Sequence, residues 1–141
     1  MTFVLDRLAL VREQLDHLYE VRERVPDAAA LRADLALHND VLFALLVICQ
    51  QVIDIAGELS ARRGISADSY RKAIRNLGRD ERFPADLVRE LEGLPGFRNV
   101  LIHQYVDLDA KRAVTALRTL EAVERFVAIV RAIEAADDTT T

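Results

Sequence analysis

Apolar residues recur every three or four positions along almost the whole chain, and that spacing leaves little choice of fold. Phe3, Leu5, Leu8, Val11, Leu15, Leu18 and Val21 or Val25 form the first such series, the signature of a helix with one apolar face. Pro26 ends it, because proline has no N–H to continue the ladder. Asp27 can cap a second helix, whose Leu31, Leu35, Leu42, Leu45 series runs toward Leu59 and stops at Gly64. The middle of that helix is apolar on nearly every face, which predicts the most buried helix of the protein or part of an interface. Ser66 or Asp68 can cap a short third helix to about Leu77, and Pro84 can open a fourth through Leu94 after a polar loop. Gly93-Leu94-Pro95-Gly96 interrupts that helix and re-aims the chain. Asp107 or Asp109 can cap a final helix striped by Val114, Leu117, Leu120, Val123, Phe126, Val127 and Val130.

No segment alternates with the period of a strand. The expected fold is therefore all-α: an antiparallel helical bundle of three long and two or three short helices. Residues 1–136 read as a single domain and 137–141 as a frayed tail.

Composition narrows the class further. Only five glycines and three prolines occur in 141 residues, and 51% hydrophobic against 30% charged residues is the balance of a soluble globular chain. A net charge of −4 argues against a general nucleic-acid coat protein, although local basic patches remain compatible with it. The single cysteine, Cys49, cannot form an internal disulfide and reads as a small buried hydrophobe. Asp6 and Arg7 precede any apolar stretch, so no secretory signal is expected. The run Val41–Cys49 is far shorter than the ~20 apolar residues of a membrane span. A cytoplasmic location without membrane association follows as an expectation.

One segment departs from plain helix patterning. Arg98-Asn99-Val100-Leu101-Ile102-His103-Gln104-Tyr105 concentrates a guanidinium, a carboxamide, an imidazole and a phenol in barely two helical turns. With about 100° per residue, Phe97, Val100 and Leu101 share a core-facing side. Arg98 then falls within about 20° of Tyr105, and Asn99 within about 40° of His103. Arg98 can clamp a phosphate with forked donors. His103 can move a proton, because imidazole changes charge near neutral pH. Metal-free RNA cleavage by the 2′-hydroxyl needs both a base and an acid, and a twofold dimer would supply two such histidines. His17 and His38 show no ligand-like arrangement, so neither a metal nor a cofactor is expected.

At these residues the chain resembles the HEPN superfamily, whose signature is an arginine, usually with a polar residue next, separated by four to six residues from a histidine. It is most similar to the HepT-like toxins, whose pattern R-N-x-x-x-H-x-Y is filled by Arg98, Asn99, His103 and Tyr105. Gln50-Gln51-Val52-Ile53-Asp54-Ile55-Ala56, Ser69-Tyr70-Arg71 and Gly96-Phe97 fit the same subfamily, so the resemblance runs from about Asp27 to Asp109. It implies a HEPN-like helical homodimer, with the motifs lining a cleft between subunits. It further implies a metal-independent endoribonuclease toxin, with Arg98 and His103 catalytic and Asn99 supporting. The implied antitoxin is a minimal nucleotidyltransferase (MNT) that transfers AMP to Tyr105. Some family members act instead as non-catalytic nucleotide-binding or adaptor subunits that regulate a nucleotidyltransferase, and that is the alternative reading.

Other polar residues have two readings. Asp54 could hold Arg98 or His103 in place across the cleft, or belong with Glu58 to a solvated acidic edge; Gln50 and Gln51 are weaker candidates for polar lining. Arg71, Lys72, Arg75, Arg79 and Arg82 read as a solvated strip partly neutralised by Asp80 and Glu81, with an RNA-backbone track as the other reading. Tyr19 and Tyr70 read as packing residues rather than stacking platforms.

Overall fold

A computed structural model describes the backbone of residues 2–103 and 109–139, with side chains from 3–103 and 109–137. Within them the chain forms α1 (Thr2–Val21), α2 (Ala28–Ala33), α3 (Leu35–Arg62), α4 (Tyr70–Asn76), α5 (Ala85–Leu91), α6 (Leu94–His103), α7 (Ala110–Arg118) and α8 (Glu121–Thr139). Short 3-10 turns follow α1 at Arg22–Arg24 and α4 at Leu77–Arg79. No strand occurs among the described residues. The fold is all-α, as the periodicity requires.

The apolar series of α1, Val4, Leu8, Val11, Leu15 and Leu18, is buried throughout. It packs on α3, which also meets α2, α4, α6 and α7, so α3 forms the axis of the bundle. By length and composition alone α3 could cross a membrane, yet most of its apolar stretch is buried inside the protein. That burial is what a core helix needs. Cys49 lies within it, and burial pushes its thiol up to about 12, so it behaves as a small apolar residue. On the far side α8 packs against α1 and α5, with Phe126 fully enclosed and its ring centroid 6.0 Å from that of Phe83.

Four boundaries differ from the sequence expectation. The single helix expected from Asp27 to Gly64 is two, because Asp34 takes an extended backbone (φ −126°, ψ 100°) and its carboxylate accepts the N–H of Leu37. The residue read as a mid-helix position is thus an N-cap. The third helix is capped by Ser69, whose hydroxyl accepts from Lys72 N at 3.0 Å, rather than by Ser66 or Asp68. Pro95 and Gly96 lie in the first turn of α6, where proline's missing N–H has no helical partner to lose, so the break falls before Leu94. The final stripe is divided between α7 and α8. Thr115 and Thr119 hydroxyls donate back to Lys111 O and Thr115 O, and Arg118 reaches across to Pro26 O at 3.0 Å. Asp109 caps α7 by accepting from Lys111 N, while Asp107 lies outside the described residues. α8 runs to Thr139, and Asp137 meets Arg62 at 3.2 Å.

A charge cluster closes the bundle end formed by α3, α4 and α8. Asp80 accepts from Arg82 Nε, Nη2 and backbone N at 2.9–3.0 Å, and from Arg63 Nη2 at 3.1 Å. The Arg82 hydrogen bonds hold its carboxyl down to about 2, from an ordinary 3.8. A depressed carboxyl stabilises the fold above its ordinary value and loses that contribution as pH falls toward the folded value. Between about pH 4 and 2 the Asp80→Asn variant should therefore close on the wild type. The stability gap lost is on the order of 1–2 kcal/mol, after allowance for screening at the half-exposed arginines. Thermal melts of both proteins across that range measure it, and a constant gap would contradict the assignment.

Candidate active site

The Pro95-Gly96 turn starts α6 so that Leu101 is buried while Phe97 and Val100 are half-buried and Asn99, Ile102 and His103 are exposed. Arg98, half-buried, turns toward α3. Its Nε donates to Gln50 Oε1 and its Nη1 donates to Asn99 Oδ1 at 3.2 Å. Gln50 in turn donates from Nε2 to Asp54 Oδ1 at 2.7 Å, one turn further along α3. The chain Asp54–Gln50–Arg98–Asn99 therefore joins two helices through side chains 48 residues apart in sequence. The carboxamide oxygen of Gln50 is aimed because Asp54 binds its nitrogen, and that aim orients the guanidinium.

Tyr70, the first residue of α4, completes the surround: Arg98 Cζ lies 5.2 Å over its ring, which is 45% exposed. A cation against an aromatic face gains electrostatically without losing its remaining donors. Nη2 of Arg98 has no hydrogen-bond partner among the described residues. His103 ends α6 exposed, and no described side chain bonds to it. Tyr105 lies outside the described residues. Arg98, Asn99 and Asp54 thus share one network, with His103 on the same helix at its C-terminal end.

Two partners of Arg98 carry more of its positioning than their place in the sequence indicates. Gln50 contacts the guanidinium directly, whereas Asp54 reaches it only through Gln50. Tyr70 is a ring on the arginine, not a packing residue alone. The available signal was Gln50 and Asp54 at i and i+4, polar on one edge of an otherwise apolar helix. The basic strip is partly consumed by internal pairs: Arg75 bonds Glu92 at 2.9 Å and Arg82 bonds Asp80. His17 pairs with Asp40 at 2.7 Å, away from the motif, and no group of three or more metal-ligating side chains gathers among the described residues.

The fold has clear counterparts. It superposes with a TM-score of 0.81 on the tri-AMPylated HEPN toxin of Shewanella oneidensis, solved in complex with its MNT antitoxin, at 22% identity over 94% of this chain and 98% of that one. A toxin–antitoxin complex with AMP-PNP gives a TM-score of 0.82 at 21% identity, over 94% of this chain and 99% of the other. A variant MntA–HpeT toxin–antitoxin complex gives 0.80 at 22% identity, over 92% and 98%. No curated protein sequence matches the chain. Residues 11–130, however, match the sequence profile of the family described as Ribonuclease HepT-like. That span takes in α3 with Gln50 and Asp54, the Tyr70 cap region and the whole Arg98–Tyr105 segment, and the chain belongs to the HepT-like family.

Proposed function

We propose that this protein is a metal-independent endoribonuclease toxin that works as a homodimer and is silenced by an MNT-type nucleotidyltransferase antitoxin. The observation that carries the reading is Arg98, held at Nε by Gln50, supported by Asn99 and Tyr70, with Nη2 left without a hydrogen-bond partner among the described residues. A fixed guanidinium with donors to spare is suited to the charge that develops on a phosphate under attack.

In this reading one His103 removes the 2′-hydroxyl proton as O2′ bonds to phosphorus. The P–O5′ bond breaks, and the His103 of a second copy protonates the departing O5′. The products are a 2′,3′-cyclic phosphate and a 5′-hydroxyl. Two histidines are needed for the two proton transfers, and a twofold assembly provides them. Exposed Phe43 (61%) and Ile102, with half-buried Leu46 and Val47, place apolar surface on α3 and α6 beside the polar network, which favours a second copy covering that face. Asn99 supports the arginine and Asp54 positions it through Gln50.

Silencing would follow from chemistry at Tyr105. Its phenol oxygen attacks the α-phosphate of ATP, pyrophosphate leaves, and the attached adenylate phosphate occupies the guanidinium that RNA requires. Purified protein, incubated with RNA in excess chelator, should generate 2′,3′-cyclic phosphate ends. Co-expression with the nucleotidyltransferase should add adenylate mass to the wild type and none to Tyr105→Phe. RNA left intact by a protein that still binds its partner tightly would replace this reading with that of a non-catalytic adaptor.

A further inference from the structure

Next to the Arg98 network a groove of about 320 Å³ opens between α1, α3 and the start of α4. Phe3 and Ile53 supply apolar wall, Gly57 leaves one side without a side chain, and Asp54, Asp68 and Tyr70 line the rest. An added Cβ on Gly57 would meet nothing within 4 Å, so that side of the groove is open space. Tyr70 belongs to both features: its ring carries Arg98 at 5.2 Å and also walls the groove.

The two halves of this surface suit opposite chemistries. The guanidinium attracts phosphate. Asp54 and Asp68 repel it and instead accept hydrogen bonds from N–H groups. Asp54 Oδ1 is taken by Gln50, while its second oxygen has no partner among the described residues. A flat aromatic ring beside carboxylate acceptors fits an unpaired nucleobase, which stacks by its face and donates from its edge. A phosphate on Arg98 and a base against Tyr70 lie within the span of one nucleotide.

We propose that this groove is the subsite for the unpaired nucleobase adjoining the phosphate held by Arg98. Tyr70 is its stacking wall, and Asp68 with Asp54 selects bases carrying an exocyclic amino group. Cytosine, adenine and guanine present that donor, whereas uracil lacks it and flanks its N3–H donor with two carbonyl oxygens that the carboxylates oppose. The proposal rests on the ribonuclease reading above for its substrate, and it makes Tyr70 and Asp68 specificity residues rather than catalytic ones.

The test is binding of short single-stranded oligo-A, oligo-C and oligo-U to the full-length His103→Ala protein, in which the strands stay intact. Oligo-C and oligo-A should bind more tightly than oligo-U. Tyr70→Ala should weaken oligo-C and oligo-A about 10- to 100-fold, the range for losing one stacked base, while Tyr70→Phe should stay near the parent. Asp68→Asn should erase the preference against oligo-U without weakening oligo-C to the same degree. Equal affinity for the three strands in the parent, unchanged affinity in Tyr70→Ala, or a change of oligomeric state in that variant would each overturn the subsite. Failure of the ribonuclease reading looks different: wild-type protein would leave every RNA intact, whatever the binding pattern. Base-blind cleavage by the wild type would sink the subsite alone.

Discussion

Alanine at position 98 is expected to lower RNA cleavage by at least about 100-fold, the scale seen when one preorganised donor to a transition-state charge is removed. The loss should fall on kcat more than on KM, because the guanidinium meets its full charge only as phosphorus becomes pentacoordinate. His103→Ala should be comparably inactive, through loss of proton transfer. Both side chains stand outside the apolar core, Arg98 half-buried and His103 exposed, so melting temperature and oligomeric state should be unchanged. Gln50→Ala supplies the graded control: Arg98 keeps its charge and its Asn99 and Tyr70 contacts but loses the Nε anchor, so activity should fall by roughly 10-fold, less than in the alanine variant at 98 itself. Cleavage time courses on one defined RNA measure all three. Wild-type rates in both Arg98→Ala and His103→Ala would remove the proposed mechanism.

The largest effect on stability is expected at Arg62, far from the motif. Its Nη1 donates to Glu134 Oε1 at 2.5 Å and reaches Asp137 Oδ2 at 3.2 Å, while Glu134 is only 4% exposed. The Glu134 hydrogen bond dominates the upward shift of the guanidinium. Arg62→Ala leaves a carboxylate inside the bundle without its counter-charge, and breaking such a pair costs about 3 kcal/mol. For a chain of this size that is roughly a 10 °C fall in Tm. Arg62→Leu combined with Glu134→Leu should regain most of the loss, because removing both charges also removes their desolvation cost. A double variant as unstable as Arg62→Ala would mean that the pair matters through its shape and not through its charge.

Both features were only half visible in the linear chain. The apolar period marked α1, α3 and α8 as bundle helices, and most of the leucines and valines it named are buried, whereas Leu5 and Leu35 at the starts of α1 and α3 are exposed. The Asp34 break is not legible in the sequence because an aspartate inside a helical pattern has the same identity whether it caps or continues, and only its extended backbone distinguishes the two. The same ambiguity hid the α7–α8 junction, where Thr119 and Leu120 keep the apolar stripe in phase across a break. Arg75 and Arg82 had the spacing of a phosphate track; Glu92 and Asp80, brought alongside by folding, account for part of that charge.

From residue order alone came the all-helical class, the apolar faces and the concentration of Arg98, Asn99, His103 and Tyr105 in one short stretch. These depend on spacings within a few turns, which helix geometry makes local. That Gln50 rather than Asp54 grips Arg98, that Tyr70 lies against it, and that Arg62 meets Glu134 depended on how α3 packs against α4, α6 and α8. Contacts between side chains tens of residues apart are set by where helices cross, and no periodicity along the chain encodes the crossing.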